Sequence, residues 1–241
     1  MRDVRQILLS LALLCSVAAC TWISIKPDDA LAQRVYMNGE FEYLQADVVA
    51  ATVAPHLGVP LSQVDLRAVA QALRELPWLA EVSVDRHWPD GVVLHVSEHE
   101  PLARWGDGKV LTRDFTVIAP PAAAVPASLP QLAGPEGTGE RVYTRFQQMN
   151  AQLAAASDRH IAELALDARG SWQATLADGL QLRLGRKHLA ARLQRFIDYA
   201  LAEVPGALAE AGYVDLRYSD GFAVGGMRAA TALERVNEQE A

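Results

Sequence analysis

The stretch from Leu76 to Trp105 restricts this chain to few architectures. A helical pattern stops at Pro77, and two runs of alternating apolar and polar residues follow, joined by Pro89-Asp90-Gly91. Val82 and Val84 share one face of the first run; Val92, Leu94 and Val96 share one face of the second. A period of two on both sides of a turn tripeptide predicts an antiparallel hairpin with one face buried. The hairpin closes one small domain, and Glu100-Pro101-Leu102-Ala103-Arg104-Trp105 opens another.

Upstream of the hairpin, Arg34 to Met37 reads as a strand ended by the turn signal Asn38-Gly39. Val49, Val53 and Leu57, four apart, predict a helix over 45–57 that Gly58 and Pro60 stop. Leu66, Val69, Ala70, Leu73 and Leu76 predict a second amphipathic helix with Asp65 as its N-cap. Residues 34–99 thus read β-α-α-β-β. Beyond Pro101 the expected strands are Ala103 to Trp105, Lys109 to Thr112, Ile161 to Asp167, Trp172 to Leu176 and Leu180 to Leu184, the last two joined by Asp178-Gly179. Pro120 to Pro130 is Ala/Pro-rich and reads as a surface loop. Arg141 to Ala156 reads as one long helix. A second has Leu189, Leu193, Phe196, Ile197, Ala200 and Leu201 on one face and Arg192 and Arg195 on the other. Tyr213 to Tyr218 and Phe222 to Val224 are the final strands, around Ser219-Asp220-Gly221. The fold class is α+β, with a β-rich domain over 100–228 holding two long helices, and a polar tail over 229–241.

Nineteen residues from Ile7 to Ile25 carry no charge. As a helix they span roughly 28 Å, against a hydrocarbon thickness of about 30 Å. Arg2 and Arg5 precede the run, and Lys26 is followed by Asp28 and Asp29. This bias puts residues 1–6 in the cytoplasm, a transmembrane helix over 7–25, a polar linker over 26–33, and the domains outside. Val17-Ala18-Ala19-Cys20 also fits a lipoprotein cleavage box, but the apolar run continues through Trp22, Ile23 and Ile25, longer than a cleaved core of about 7–15 residues. An uncleaved anchor is the better reading. Both cysteines, Cys15 and Cys20, fall inside the run, and the absence of any Cys-x-x-Cys unit removes support for structural zinc.

A net charge of −7 gives no electrostatic footprint for nucleic acid, and basic pairs such as Arg186-Lys187 read as solvated helix ends. No Gly-x-Ser-x-Gly elbow, phosphate loop or His-Glu-x-x-His helix is present, so no catalytic or cofactor-binding residue and no small-molecule substrate is expected. Gly134-Pro135-Glu136-Gly137-Thr138-Gly139 has glycines but no following Lys, and reads as a plain turn. His95 and His99 share a face if one strand runs through both; with no third ligand placed, a solvated sheet face is expected rather than a metal site. The final strand is the stronger functional candidate, because an edge strand can accept a strand from another chain.

Several motifs in this order resemble the FtsQ/DivIB family of bacterial division proteins: Leu76-Pro77-Trp78, Trp88-Pro89-Asp90, Glu98 with Pro101, Ala103 and Trp105, Leu129-Pro130, Gly134-Pro135-Glu136-Gly137, Ser171-Trp172-Gln173, Leu184-Gly185-Arg186, and Tyr213 to Tyr218. The resemblance implies that 34–99 is a POTRA domain and that the protein assembles division machinery without catalysis. It further implies a single-pass inner-membrane protein at the septum, with its domains periplasmic. The partners so implied are FtsB and FtsL, with FtsK upstream and FtsW–FtsI downstream. By residue type alone Tyr218 and Phe222 read as core and Arg169 as a surface charge. The resemblance instead makes Arg169, Arg217, Tyr218, Ser219, Gly221 and Phe222 partner-binding, with Arg169 facing an acidic partner residue. Two departures stand out: Val224-Gly225-Gly226 where several relatives have Val-Gly-Trp, and Asp114-Phe115 where the family has Asp-Gly. A POTRA-bearing periplasmic chaperone or outer-membrane assembly lipoprotein is the rival reading, and a wall hydrolase a third.

Overall fold

The computed structural model describes residues 31–39, 41–202 and 204–227. The cytoplasmic segment, the apolar run, residues 26–30 of the linker and the tail over 229–241 lie outside the described residues. Among the described residues, no helix is long and apolar enough to cross a membrane. The chain divides into two compact units between His99 and Glu100.

The first unit contains β1 (Arg34–Asn38), α1 (Ala46–Val53) running on into a 3-10 turn, α2 (Leu66–Arg74), β2 (Leu79–His87) and β3 (Gly91–Glu98). β3 is central, antiparallel to β2 and parallel to β1. A parallel pair needs a long crossover, which the two helices and β2 provide. The hairpin alternates as the sequence predicts: Val84, Val92, Leu94 and Val96 are buried, against Val49, Val53, Val69 and Leu73 of the helices. The Asp65 carboxylate accepts from the N–H groups of Arg67 and Ala68 at 3.0 and 3.1 Å, a cap worth about 1 kcal/mol.

Residues 31–33, read above as linker, belong to this unit. Leu31 bridges Pro60, and Ala32 is fully buried with its N–H on the Val59 carbonyl at 2.9 Å. Two motif residues have structural work here. The Glu98 carboxylate accepts from the N–H groups of Glu42, Tyr43 and Leu44, the last at 2.6 Å, which pins the loop before α1 to the end of β3. Trp78 is buried and stacks on Tyr43 with ring centroids 4.4 Å apart. His95 stands exposed on β3 with Nε2 3.9 Å from Asp85, and His99 lies past the end of that strand.

The second unit contains β4 (Pro101–Trp105), β5 (Lys109–Thr112), β6 (Val117–Ile118), β7 (Gln131–Ala133), α3 (Gly139–Ala154), β8 (Ile161–Leu166), β9 (Trp172–Leu176), β10 (Gln181–Gly185), α4 (Leu189–Arg195), α5 (Pro205–Glu210), β11 (Ala211–Asp215) and β12 (Ala223–Met227). All twelve strands except β1 to β3 form one sheet, ordered β12-β11-β10-β9-β8-β7-β4-β5-β6. Trp172, Ala174, Leu182, Leu184 and Val214 line its buried face with Met149 and Leu153 of α3 and Leu193 of α4. Asp178-Gly179 makes the expected tight turn: Gly179 takes φ 87°, and the Asp178 carboxylate accepts from Leu180 N at 3.1 Å. The glycine-rich segment 134–139 is a turn that leads into α3.

Several elements differ from the sequence expectation. The second long helix is segmented: α4 passes into a π-helical stretch over Phe196–Leu201, and Pro205 starts the separate α5. β6 and β7, two and three residues long, are additions. The expected strand Tyr213 to Tyr218 ends at Asp215, because Leu216 to Phe222 leave the ladder. At the Asp114-Phe115 departure, Phe115 itself takes φ 60°, and the Asp114 carboxylate accepts from the hydroxyls of Thr112 and Thr116 around it.

Candidate partner-docking edge

β12 ends the nine-strand order. It pairs antiparallel with β11, in the register Ala211↔Met227, Tyr213↔Gly225, Val214↔Val224 and Asp215↔Ala223. Its other edge meets no strand among the described residues. The opposite end of the sheet is β6, only two residues long, so β12 is the longer free ledge of main-chain donors and acceptors. β11 is parallel to β10, and the Arg183 guanidinium sits over the Tyr213 ring at 3.7 Å. The strand crosses closely over that ring: a Cβ at Gly225 would come 2.7 Å from the Tyr213 hydroxyl.

The loop from Leu216 to Phe222 joins β11 to β12 and is held from both sides. Leu216 is fully buried, with its N–H on the Arg183 carbonyl at 2.9 Å, and Phe222 packs against the core. From α4, Arg192 donates to the carbonyls of Leu184 and Arg217, the latter at 2.8 Å. Arg195 donates to the carbonyls of Tyr218 and Gly221 at 2.9 and 3.2 Å. Tyr218 therefore has a fixed main chain and a side chain that is 58% exposed. Ser219 is exposed, with its hydroxyl on the Asp220 carboxylate at 3.0 Å. The sequence reading placed Arg192 and Arg195 on the helix face away from the core, which is where they are. Three of their carbonyl partners lie about 25 residues downstream, with Leu184 eight residues upstream, and no local signal marks them.

Asp215, one of two buried polar residues among those described, closes the base of the loop. Its carboxylate accepts from Arg217 N at 3.0 Å, from Nε at 2.9 Å and from Nη2 at 2.6 Å. The Arg217 hydrogen bonds hold the Asp215 carboxyl below the usual carboxylate range; burial opposes this, and the charges of Arg217 and Arg183 reinforce it. A carboxyl whose folded pKa is depressed contributes stability above its unfolded value of about 3.9, and that contribution is lost as pH falls through the lower folded value. Asp215→Asn should therefore destabilise the second unit at neutral pH, and the difference from the unchanged chain should shrink below about pH 4. Urea unfolding across that range measures it, and a pH-independent difference would contradict the assignment.

Beside the loop lies a recess of about 650 Å³ lined by Asp167, Arg169, Ser171, Gly185, Arg186, Lys187, Arg192 and Arg217. Arg169 is carried on the β8–β9 turn, where the Asp167 carboxylate accepts from the N–H groups of Arg169 and Ser171 at 2.9 and 2.7 Å. The fold thus brings Arg169 and Arg217 to one recess, with Tyr218, Ser219, Gly221 and Phe222 in the adjoining loop. None of these six lies on β12 itself. Arg186 and Lys187, read as solvated helix ends, add to the same wall, which holds five cations and the Asp167 carboxylate; one of the five, Arg217, is already paired with Asp215. Such a wall suits a carboxylate-bearing partner.

Residues 103–217 match the family described as "Cell division protein FtsQ/DivIB, C-terminal", and residues 32–99 match "POTRA domain, FtsQ-type". A curated protein of Xanthomonas campestris pv. campestris named "Cell division protein FtsQ" is 34% identical over 191 residues, spanning 79% of this chain and 68% of its own length. A protein of the same name from Burkholderia pseudomallei is 30% identical over 246 residues, covering 97% of this chain and 98% of its own. The protein so named in Escherichia coli K12 is 34% identical over 234 residues, covering 91% and 83%.

Proposed function

The chain belongs to the FtsQ/DivIB family of cell division proteins, and on that premise we propose that it assembles the division machinery by accepting a partner β-segment on the outer edge of β12. The partners are FtsB, with FtsL alongside it. FtsK upstream and FtsW–FtsI downstream are the components it links. The apolar run over 7–25 anchors it in the inner membrane, with the two units periplasmic at the septum. Its role is binding, with no covalent chemistry.

The observation that carries this reading is a five-residue strand at the end of the sheet whose outer edge meets no strand among the described residues, with a cationic recess and an exposed Tyr218 at the loop that leads into it. Each main-chain bond nets only about 0.5–1.5 kcal/mol, so strand addition needs side-chain support. Tyr218 offers apolar area beside the ledge, and Arg169 and Arg217 offer charge to an acidic residue on the incoming segment. A membrane anchor confines both partners to one surface, which raises the effective concentration for a weak edge contact.

The test is co-purification of the full chain with FtsB. Tyr218→Ala should lose most of the bound FtsB while the melting temperature stays nearly unchanged, because that side chain has no place in the core. Arg169→Glu should weaken binding at least tenfold, and more at low salt than at high salt. Undiminished capture of FtsB by both variants would remove β12 and its surroundings as the docking edge.

A further inference from the structure

The end of the first unit where the described chain begins carries an exposed apolar rim. Leu31 bridges Pro60 there, and the Ala32 N–H donates to the Val59 carbonyl. Next to them the Asp90 carbonyl accepts from the N–H groups of Gln33 and Arg34 at 2.8 and 3.2 Å, which brings the β2–β3 turn to the same end. Leu31, Val59 and Trp88 are all exposed, Trp88 by 45%. Tyr36 is also exposed and meets the His87 ring edge-on at 4.6 Å. The Arg34 guanidinium projects beside Asp90 at 3.3 Å and is largely in solvent. Trp78, Trp105 and Trp172 are buried, so among the described residues Trp88 is the tryptophan left at the surface.

Tryptophan and tyrosine around aliphatic tips, with an arginine reaching outward, is the composition that settles at a membrane–water boundary. The length of chain before this rim fixes what it can touch. Five residues separate Leu31 from the uncharged run that ends at Ile25. Fully extended, that spacer reaches only about 20 Å, and any folding of it brings the rim nearer. We propose that this rim docks on the outer face of the phospholipid bilayer, with Trp88 at headgroup level. The proposal rests on the membrane-anchored reading given above. Docking there orients the first unit relative to the bilayer, with the hairpin turn toward lipid and the Leu79 and Glu98 ends of β2 and β3 away from it.

The test uses the full chain in vesicles of phosphatidylethanolamine and phosphatidylglycerol. In a Cys15→Ser, Cys20→Ser background, a fluorophore is placed at His87→Cys, near the turn, or at Ser97→Cys, toward the other end of the hairpin. A headgroup-level lipid nitroxide should quench position 87 at least threefold more than position 97, and aqueous iodide should do the reverse. Adding Trp88→Ser should bring position 87 down to the level of position 97. Equal lipid quenching at the two positions, or no effect of Trp88→Ser, overturns the docking. A label on Cys20, in a Cys15→Ser chain, read with an acyl-chain nitroxide, separates the causes. Quenching at Cys20 with none at 87 overturns docking alone, and no quenching at Cys20 overturns the anchor and docking together.

Discussion

Replacing both Arg192 and Arg195 with methionine should lower affinity for an FtsB segment at least thirtyfold while α4 stays folded. The two guanidiniums hold four carbonyls, those of Leu184, Arg217, Tyr218 and Gly221. Methionine keeps the helix propensity and the aliphatic stem but can donate to none of them. Residues 217–221 would then sample other conformations and would have to be ordered on binding, at a cost of about 1–2 kcal/mol for each residue refixed. Two such residues already correspond to more than the tenfold that about 1.4 kcal/mol represents. Titration calorimetry with an FtsB periplasmic segment reads the affinity, and circular dichroism checks the helix. Lysine at both positions should give an intermediate loss, since an ammonium keeps the charge but not the planar fork that spans two carbonyls. Unchanged affinity in the methionine chain would show that the loop is irrelevant to docking.

Trp172→Ala should cost the second unit about 3–5 kcal/mol. The indole is 2% exposed, sits in the main core and lies beneath the Arg141 guanidinium at 5.6 Å. It also pairs with Gly185 across β9 and β10 and follows the turn that carries Arg169. The cavity should therefore loosen one wall of the recess as well as weaken the sheet. Denaturant unfolding should show the loss in the transition of the second unit, with the first unit unmoved. Trp172→Phe should recover part of it. A loss below 1 kcal/mol for alanine would mean that the site collapses around the gap.

The sequence makes the first unit legible because its signals are local. The Val84, Val92, Leu94 and Val96 alternation, the Asp65 cap and the Gly58 and Pro60 stop each act within a few residues, and the structure keeps all of them. In the second unit the long periodic segments are equally clear. β6 and β7 are not, since two or three residues cannot display a period, and β7 is held by β4 and β8, far along the chain on either side. The short α5 is not legible either, since six residues starting at Pro205 cannot display a helical period. At the docking edge, Arg169 and Arg217 were identifiable only through family resemblance. Their shared recess depends on β9 and β10 lying between them. The carbonyl bonds of Arg192 and Arg195 are not legible because a solvent-facing arginine and a carbonyl-bonding one look alike in sequence.

β8, β9, β10, β11 and β12 lie side by side in the order in which they are synthesised. Each finds its template already laid down earlier in the chain. The ledge offered to another molecule therefore moves outward with every strand and reaches its final position only when residues 223–227 arrive. On the proposed docking, recruitment of a companion is the next step of the same growth, carried out by a different polypeptide, and it cannot begin on a half-made copy. A molecule clipped ahead of Ala223 would present β11 instead, a ledge of different residues and opposite direction.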